Sequence, residues 1–572
     1  MTPPGQSGIV AAMDTLRPTR RFRWSAGILL ALACTAGAAP HDVDFSVLLP
    51  EAERVYLVGS FNGWEVSEAA LMENANGLWL KTLSLEDGAY SYKFKAEGPG
   101  ISGDGWRLDW KSSRDSRQKR VAGNSVLTVP DDLETFQARQ RGASQTEAGI
   151  EIPLFYDRQP DKNAAYGFGG YAYRQLEADP PTDGWVLPDF VDDKPLFAVV
   201  EIGDSEFLAA LDRKSTNDLF YNRLFFDRNG NRDLTDDPPL DGKTQSYGRE
   251  NYFDCSFSSI DLDVEWDEHR LPYCIGLRVN GSMPAKNEDD DDRLARYGRR
   301  YPNLLVSPRC AYLGEFALDG VGYRIALCDS EANGSFDESA SIPEGMRFGD
   351  GSLYARGDAL YVTTGDRVVS SDHSLLGDFL GIGGRLFKAR VDIPNGRIVL
   401  QPRTRQIGTL EFPAPMRSLT MLSTSGKESL VLVRAGTQAP VPADRWRLLQ
   451  YELLKKDEWG DEWMLGARGT EDMRAVAVPE NGSAPLPVGE PLAASISVSD
   501  RMTSTSGTNR MVRMSFNVLG QAGEKIADIS RFSGTNTQHK LAPRSSNRPE
   551  GAAYRIIKPD GELVSSGSFE YG

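Results

Sequence analysis

Histidine and cysteine are scarce in this chain, with four His and five Cys among 572 residues. His41, His269, His373 and His539 are scattered and no C-x-x-C pair occurs, so the ligand spacing of a zinc site is absent. The same scarcity, together with the lack of a G-x-S-x-G turn, argues against a Ser-His-Asp hydrolase. Basic charge is also short: 64 Lys and Arg stand against 81 Asp and Glu, a net charge of −17. Nucleic-acid binding needs a basic face, and none is present. Beyond the N-terminus no apolar run is long enough to cross a bilayer as a helix. No self-similarity at the period of a repeat array is visible. Nor do strand and helix patterns alternate, which removes the α/β barrel. Glycosidic chemistry needs only two carboxylates, and 81 acidic residues contain no distinguishable pair. Catalysis is therefore not expected, and a glycan-processing enzyme is kept as an alternative.

The first 38 residues read as a secretory signal of bacterial type. Arg17, Arg20, Arg21 and Arg23 form a positive region, Trp24 to Ala33 a short apolar one, and Ala36-Gly37-Ala38 a cleavage site. Ala39 is then the mature start, and the protein is expected in the periplasm or secreted. Ala31-Leu32-Ala33-Cys34 is an imperfect lipobox, which leaves a lipid anchor at Cys34 as the alternative.

The remainder reads as mainly β and multi-domain. Val55 to Val58 is a short apolar run closed by Gly59, and Leu78 to Leu85 is a second. Tyr90, Tyr92 and Phe94 alternate with Ser91, Lys93 and Lys95, the period of a half-buried strand. Asn76-Gly77 and Asp87-Gly88 are turn dipeptides. These place a sandwich at 42–130, followed by a polar linker at 131–149, partly helical in pattern from Asp132 to Arg141. A large β-rich central region follows at 150–403, with a hairpin at Pro394-Asn395-Gly396. A small β-rich domain is expected at 404–485, where Trp446 to Leu454 fits helix or strand and strand is preferred among β neighbours. An immunoglobulin-like sandwich closes the chain at 486–572, with a hairpin turning at Pro559-Asp560-Gly561.

Four pieces of the first sandwich occur in a telling order: VYLVGSFNGWE, NGLWLKTLSLEDGAYSYKFK, W-R-L-D and GNSVLTV, between Val55 and Val129. In this order they resemble the glycogen-binding domain of the AMP-activated protein kinase β subunit and its relatives in starch-branching and debranching enzymes. The resemblance implies an immunoglobulin-like β-sandwich that binds α-glucans. It implies sugar stacking on Trp64 and Trp106, and hydrogen bonds from Lys93 and Asn124. The chemistry fits, because an indole face covers sugar C–H groups while ammonium and amide groups satisfy hydroxyls. Two departures stand out. A Gly-rich insertion, Gly98 to Gly105, lengthens the path from Lys93 to Trp106, and Ala122 replaces the family's Thr two residues before Asn124. The plainer reading makes both tryptophans part of the core of an inert spacer.

Two acidic loops suggest calcium. Asp227, Asn229, Asn231 and Asp233 put oxygens at alternate positions of one loop. Asp329, Glu331, Asn333 and Asp337 do the same in a second, with Gly334 at the sharp turn and Asp350 or Asp358 as a candidate closing carboxylate. The plainer reading is an Asx-rich turn without metal. The run Glu288 to Asp292 reads as a solvated face. Cys255, Cys274, Cys310 and Cys328 remain in an exported chain and permit two disulfides; Cys310 and Cys328 flank a turn at Asp319-Gly320 and are the expected pair, with four free buried thiols as the alternative.

Two classes of function compete. One is an exported non-catalytic protein that docks on α-glucan through its first sandwich, with a calcium-stabilised centre. The other is a structural or adhesive envelope protein with no sugar binding.

Overall fold

The computed structural model describes residues 39–101, 103–111, 123–146, 148–158, 170–182, 184–246, 252–266, 268–282, 294, 298, 301–364, 373–457, 460–499, 513–533, 549 and 551–569. The expected signal, Cys34, and the acidic run 288–292 lie outside them. The chain is mainly β, built from several sheets.

The N-terminal sandwich uses seven strands: β1 (His41–Leu48), β2 (Arg54–Gly59), β3 (Glu73–Ala75), β4 (Leu78–Leu85), β5 (Gly88–Glu97), β6 (Trp106–Arg107) and β7 (Ser125–Val129). One sheet has the order β1-β4-β3; the other is β2-β5-β6, with β7 also on β5. Asn76 and Gly77, at φ 56° and 87°, form the two-residue turn that pairs Ala75 with Leu78. Alternation sends Val43, Phe45, Val47, Val55, Leu57, Tyr92, Phe94, Leu127 and Val129 inward, where all are buried. The stretch expected as linker carries a helix, α1 (Leu133–Arg139), whose Phe136 is buried in this same core, 5.3 Å from Phe45 ring to ring. The sandwich thus extends past residue 130.

The next strands, Ser144–Thr146 and Gly149–Pro153, begin the edge of a fourteen-stranded sheet. From them the sheet runs through Arg397–Pro402, Arg385–Asp392, Phe379–Ile382, Ser429–Pro442, Ile407–Ser423, Arg445–Lys456 and Glu462–Arg468. The expected hairpin at 394–396 is present, pairing Asp392 with Arg397, and Trp446 to Leu454 is strand. The expected boundary at 403/404 is crossed, because Phe379–Ile382 pairs in parallel with Ser429–Pro442. Three smaller sheets of four, five and six strands pack around the main core between residues 155 and 375.

The C-terminal region departs from expectation. Lys525–Ser533 pairs with Glu462–Arg468, and Arg513–Leu519 and Ala493–Ser499 follow it, so these strands extend the large sheet. Ala553–Ile557 and Leu563–Ser568 form a separate hairpin. Among the described residues the region buries no core of its own, and Ile496, Phe516, Ile557, Leu563 and Val564 are exposed. A second sandwich is therefore not formed by the described residues.

The expected pair Cys310–Cys328 is also corrected. The hairpin Cys310–Leu318/Val321–Cys328 aligns Tyr312 with Leu327, which puts Ala311, not Cys310, opposite Cys328. A one-residue offset sends side chains to opposite faces. Cys310 faces the main core, Cys328 faces the cluster around Trp110, and all four described cysteines are free and buried.

Candidate carbohydrate-binding face

The sheet β2-β5-β6/β7 has one inward and one outward face. Tyr92 and Phe94 point inward, so Lys93 and Lys95 point outward. Lys93 is aligned with Val58, and Lys95 with Tyr56 on one side and Trp106 on the other. Tyr92 is aligned with Ser125, which makes Asn124 the next position beside Lys93. A β-carbon placed on Gly123 would lie 3.9 Å from Lys93 Nζ, so the ammonium reaches the turn that carries Asn124. Lys93, Asn124 and Trp106 therefore share the outward face.

The Gly-rich insertion leaves Trp106 paired with Lys95 on β5. It forms the excursion of a long hairpin, closed by the Ala96 N–H donating to Gly105 O at 2.8 Å. Gly103 and Gly105, at φ 71° and 75°, turn the chain back to β5. Trp106 is half-buried and packs, as Leu71 does, against the cluster of Tyr56, Val58 and Ala70. Part of the ring is thus core, as the plainer reading holds, and part is open.

Trp64 stands on the loop that leaves β2. The residue is 37% exposed and its backbone sits at φ 65°, after Gly63 at φ 64°. Left-handed backbone is costly for a bulky residue. The turn is held by Trp64 N–H to Gly59 O at 2.9 Å and by Asn62 Oδ1, which accepts from Gly59 N at 2.9 Å. The same loop ends at Leu71, which bridges to Tyr56 beside Trp106. The end of this loop thus packs on the outward side of the sheet beside Trp106.

Sequence reasoning placed Lys95 on the strand but did not assign it to the site. Its ammonium lies 5.4 Å from the Trp106 ring centre and donates to Asp104 O. The signal was the two-residue period from Lys93. Asp109, the acid of W-x-x-D, is not part of the face. It is buried and accepts from Tyr92 Oη at 2.7 Å, Gln140 Nε2 at 3.1 Å and Lys111 N at 2.9 Å.

The acidic loops lie in the central region. In the first, Asp227 accepts backbone N–H groups from Gly230, Asn231 and Arg232, and Asn229, Asn231 and Asp233 each accept from the N–H two residues on. In the second, Asp329 accepts from Glu331, Ala332 and Gly334 N–H and from Tyr273 Oη. Glu331 pairs with Arg356, Asn333 accepts from Ser335 N–H, and Asp337 accepts from Ser335 Oγ. Asp358 lies beside this loop, accepting from Ser330 and Glu338 N–H, whereas Asp350 accepts from Ser352. Burial and the neighbouring Asp329 push the Asp358 carboxyl well above its ordinary value. Among the described residues no three His, Cys, Asp or Glu side chains gather as a metal cluster.

A two-layer sandwich offering indole, ammonium and amide groups on one sheet face is the architecture of a carbohydrate-binding module. Residues 33–113 match the family model of Carbohydrate-binding module 48 (Isoamylase N-terminal domain). The match supports glycan binding by the N-terminal domain. It covers a short part of the 572-residue chain and stops before Asn124. No curated protein matches the chain. Among the described residues no helix is long and apolar enough to cross a membrane.

Proposed function

We propose that this is an exported, non-catalytic protein that binds α-glucan through Trp64, Lys93, Trp106 and Asn124. The observation that carries the reading is the register that puts Lys93, Asn124 and Trp106 on one outward face. A linear glucan offers alternating C–H faces and hydroxyl rims, which suits an open indole flanked by ammonium and amide donors. Shallow contact of this kind gives weak binding, on the order of −4 to −8 kcal/mol. Export is supported by the Arg-rich start, the short apolar run and Ala36-Gly37-Ala38. A glycan array probed with the mature protein tests the ligand class. Signal confined to α-linked glucose polymers supports the reading, and an array without signal removes it.

We also propose calcium at the second acidic loop. Asp329 and Asp358 are both buried, and their mutual repulsion is relieved by a proton or by a cation. Asn333 and loop carbonyls would complete an oxygen shell. A melt of the mature protein at neutral pH, in calcium and in chelator, decides: a higher Tm in calcium supports the cation, and equal Tm values assign the relief to protons.

A further inference from the structure

We propose that Glu315, in the central region, is a positioning residue for Trp106, so that the sandwich keeps its binding geometry only while docked on that region. This rests on the glycan reading of the outward face. β6 is two residues long and pairs with β5 through Trp106 and Arg107, with the Ala96 N–H to Gly105 O bond just before it. So short a strand gives little anchorage on its C-terminal side, so the strap behind it is the second hold on Trp106, beside its packing against Tyr56, Val58 and Ala70.

The strap Leu108–Lys111 is tied at two points. On the sandwich side, Asp109 takes the three bonds from Tyr92, Gln140 and Lys111, and its N–H donates to Ser125 Oγ at 2.9 Å, next to Asn124. On the other side, Trp110 leaves the sandwich and packs on Ala311, Leu313, Ala326 and Tyr361 of the central region. Its Nε1 donates to Glu315 Oε2 at 2.7 Å. Lys111 Nζ donates to Glu315 Oε1 at 2.9 Å and back to Ser46 Oγ at 2.6 Å, joining the two bodies through one ammonium. Arg324 covers Trp110 at 5.5 Å and lies 3.8 Å from Glu315. Glu315 is 4% exposed. Its removal leaves the Trp110 indole N–H without this acceptor and the buried Lys111 ammonium without its counter-charge, held by Ser46 alone, at the end of the segment that carries Trp106.

The test uses the chain from Ala39 onward, labelled with fluorotryptophan, with the Trp64 and Trp106 resonances assigned by Trp→Phe substitution. Glu315→Gln is compared with the wild type. Because a lone Lys111 charge can unfold the protein, the neutral double variant Lys111→Met/Glu315→Gln is measured beside it. The expected result is a moved or broadened Trp106 resonance, an unmoved Trp64 resonance, and a loss of maltoheptaose affinity of roughly tenfold. A folded double variant with an unchanged Trp106 resonance overturns the proposal. If Trp106 moves but the wild type binds no glucan, positioning stands and the glycan reading falls. If the wild type binds glucan and Trp106 stays put, the reverse holds.

Discussion

Trp64 combines an open ring with a backbone at φ 65°. A left-handed non-Gly residue costs roughly 1–2 kcal/mol, so the position trades stability for placement of the indole. Trp64→Gly is therefore expected to hold or raise Tm while weakening glucan binding. A fall in Tm with intact binding would make Trp64 a core residue. Glu315 behaves differently. Burial alone would raise its carboxyl, but Lys111 and Arg324, with the hydrogen bonds from Lys111 and Trp110, hold it below the ordinary value. A depressed folded value stabilises above the unfolded value and is lost as pH falls through the folded one. Acid titration should thus loosen the interdomain contact below the ordinary glutamate range of about pH 4.3. The double variant Lys111→Met/Glu315→Gln should lack that acid limb in a Tm-versus-pH series, and an identical limb would contradict the assignment. Lys93, Trp106 and Asn124 could be picked out as candidates in the sequence because their motifs are local. Glu315 could not, since only the fold brings it to Lys111.

At the scale of elements, turns were the most legible feature. Asn76-Gly77 and Pro394-Asn395-Gly396 are hairpin turns where the sequence places them, because positive φ is a local demand. The hairpin at Asp319-Gly320 was also legible, but strand parity decides which side chains meet. Cys310 and Cys328 are one residue out of alignment and so face apart. The mature chain should show four thiols after denaturation and no mass change with reductant; a bridged pair would contradict this hairpin register. Burial pushes the Cys274 thiol up to about 12, so alkylation should wait for unfolding. The Gly98–Gly105 insertion was readable as a departure in spacing, yet its return to β5 was not, because closure on Gly105 is a backbone contact. The helix α1 was legible as a partly helical pattern within a polar linker, but the burial of Phe136 follows from tertiary packing alone.

The whole molecule is organised by one large sheet that joins segments hundreds of positions apart, such as Gly149–Pro153 and Arg397–Pro402. Expected boundaries at 403/404 and 485/486 failed to delimit independent folds for that reason: pairing between distant strands leaves no local trace. Trp446 lies fully buried in this sheet's second core, its Nε1 donating to Pro442 O at 2.9 Å. Trp446→Ala is expected to destabilise by about 3–5 kcal/mol in denaturant melts, and a loss below 1 kcal/mol would argue that this core is not cooperative with the rest. Against that scaffold the functional claim concerns one face. The most direct measurement is calorimetry of the chain from Ala39 with maltoheptaose, for the wild type and Trp106→Ala. The account predicts a measurable heat with micromolar to millimolar affinity, lost by about 2 kcal/mol or more in the variant. No heat in the wild type, or equal affinity in both, would contradict it.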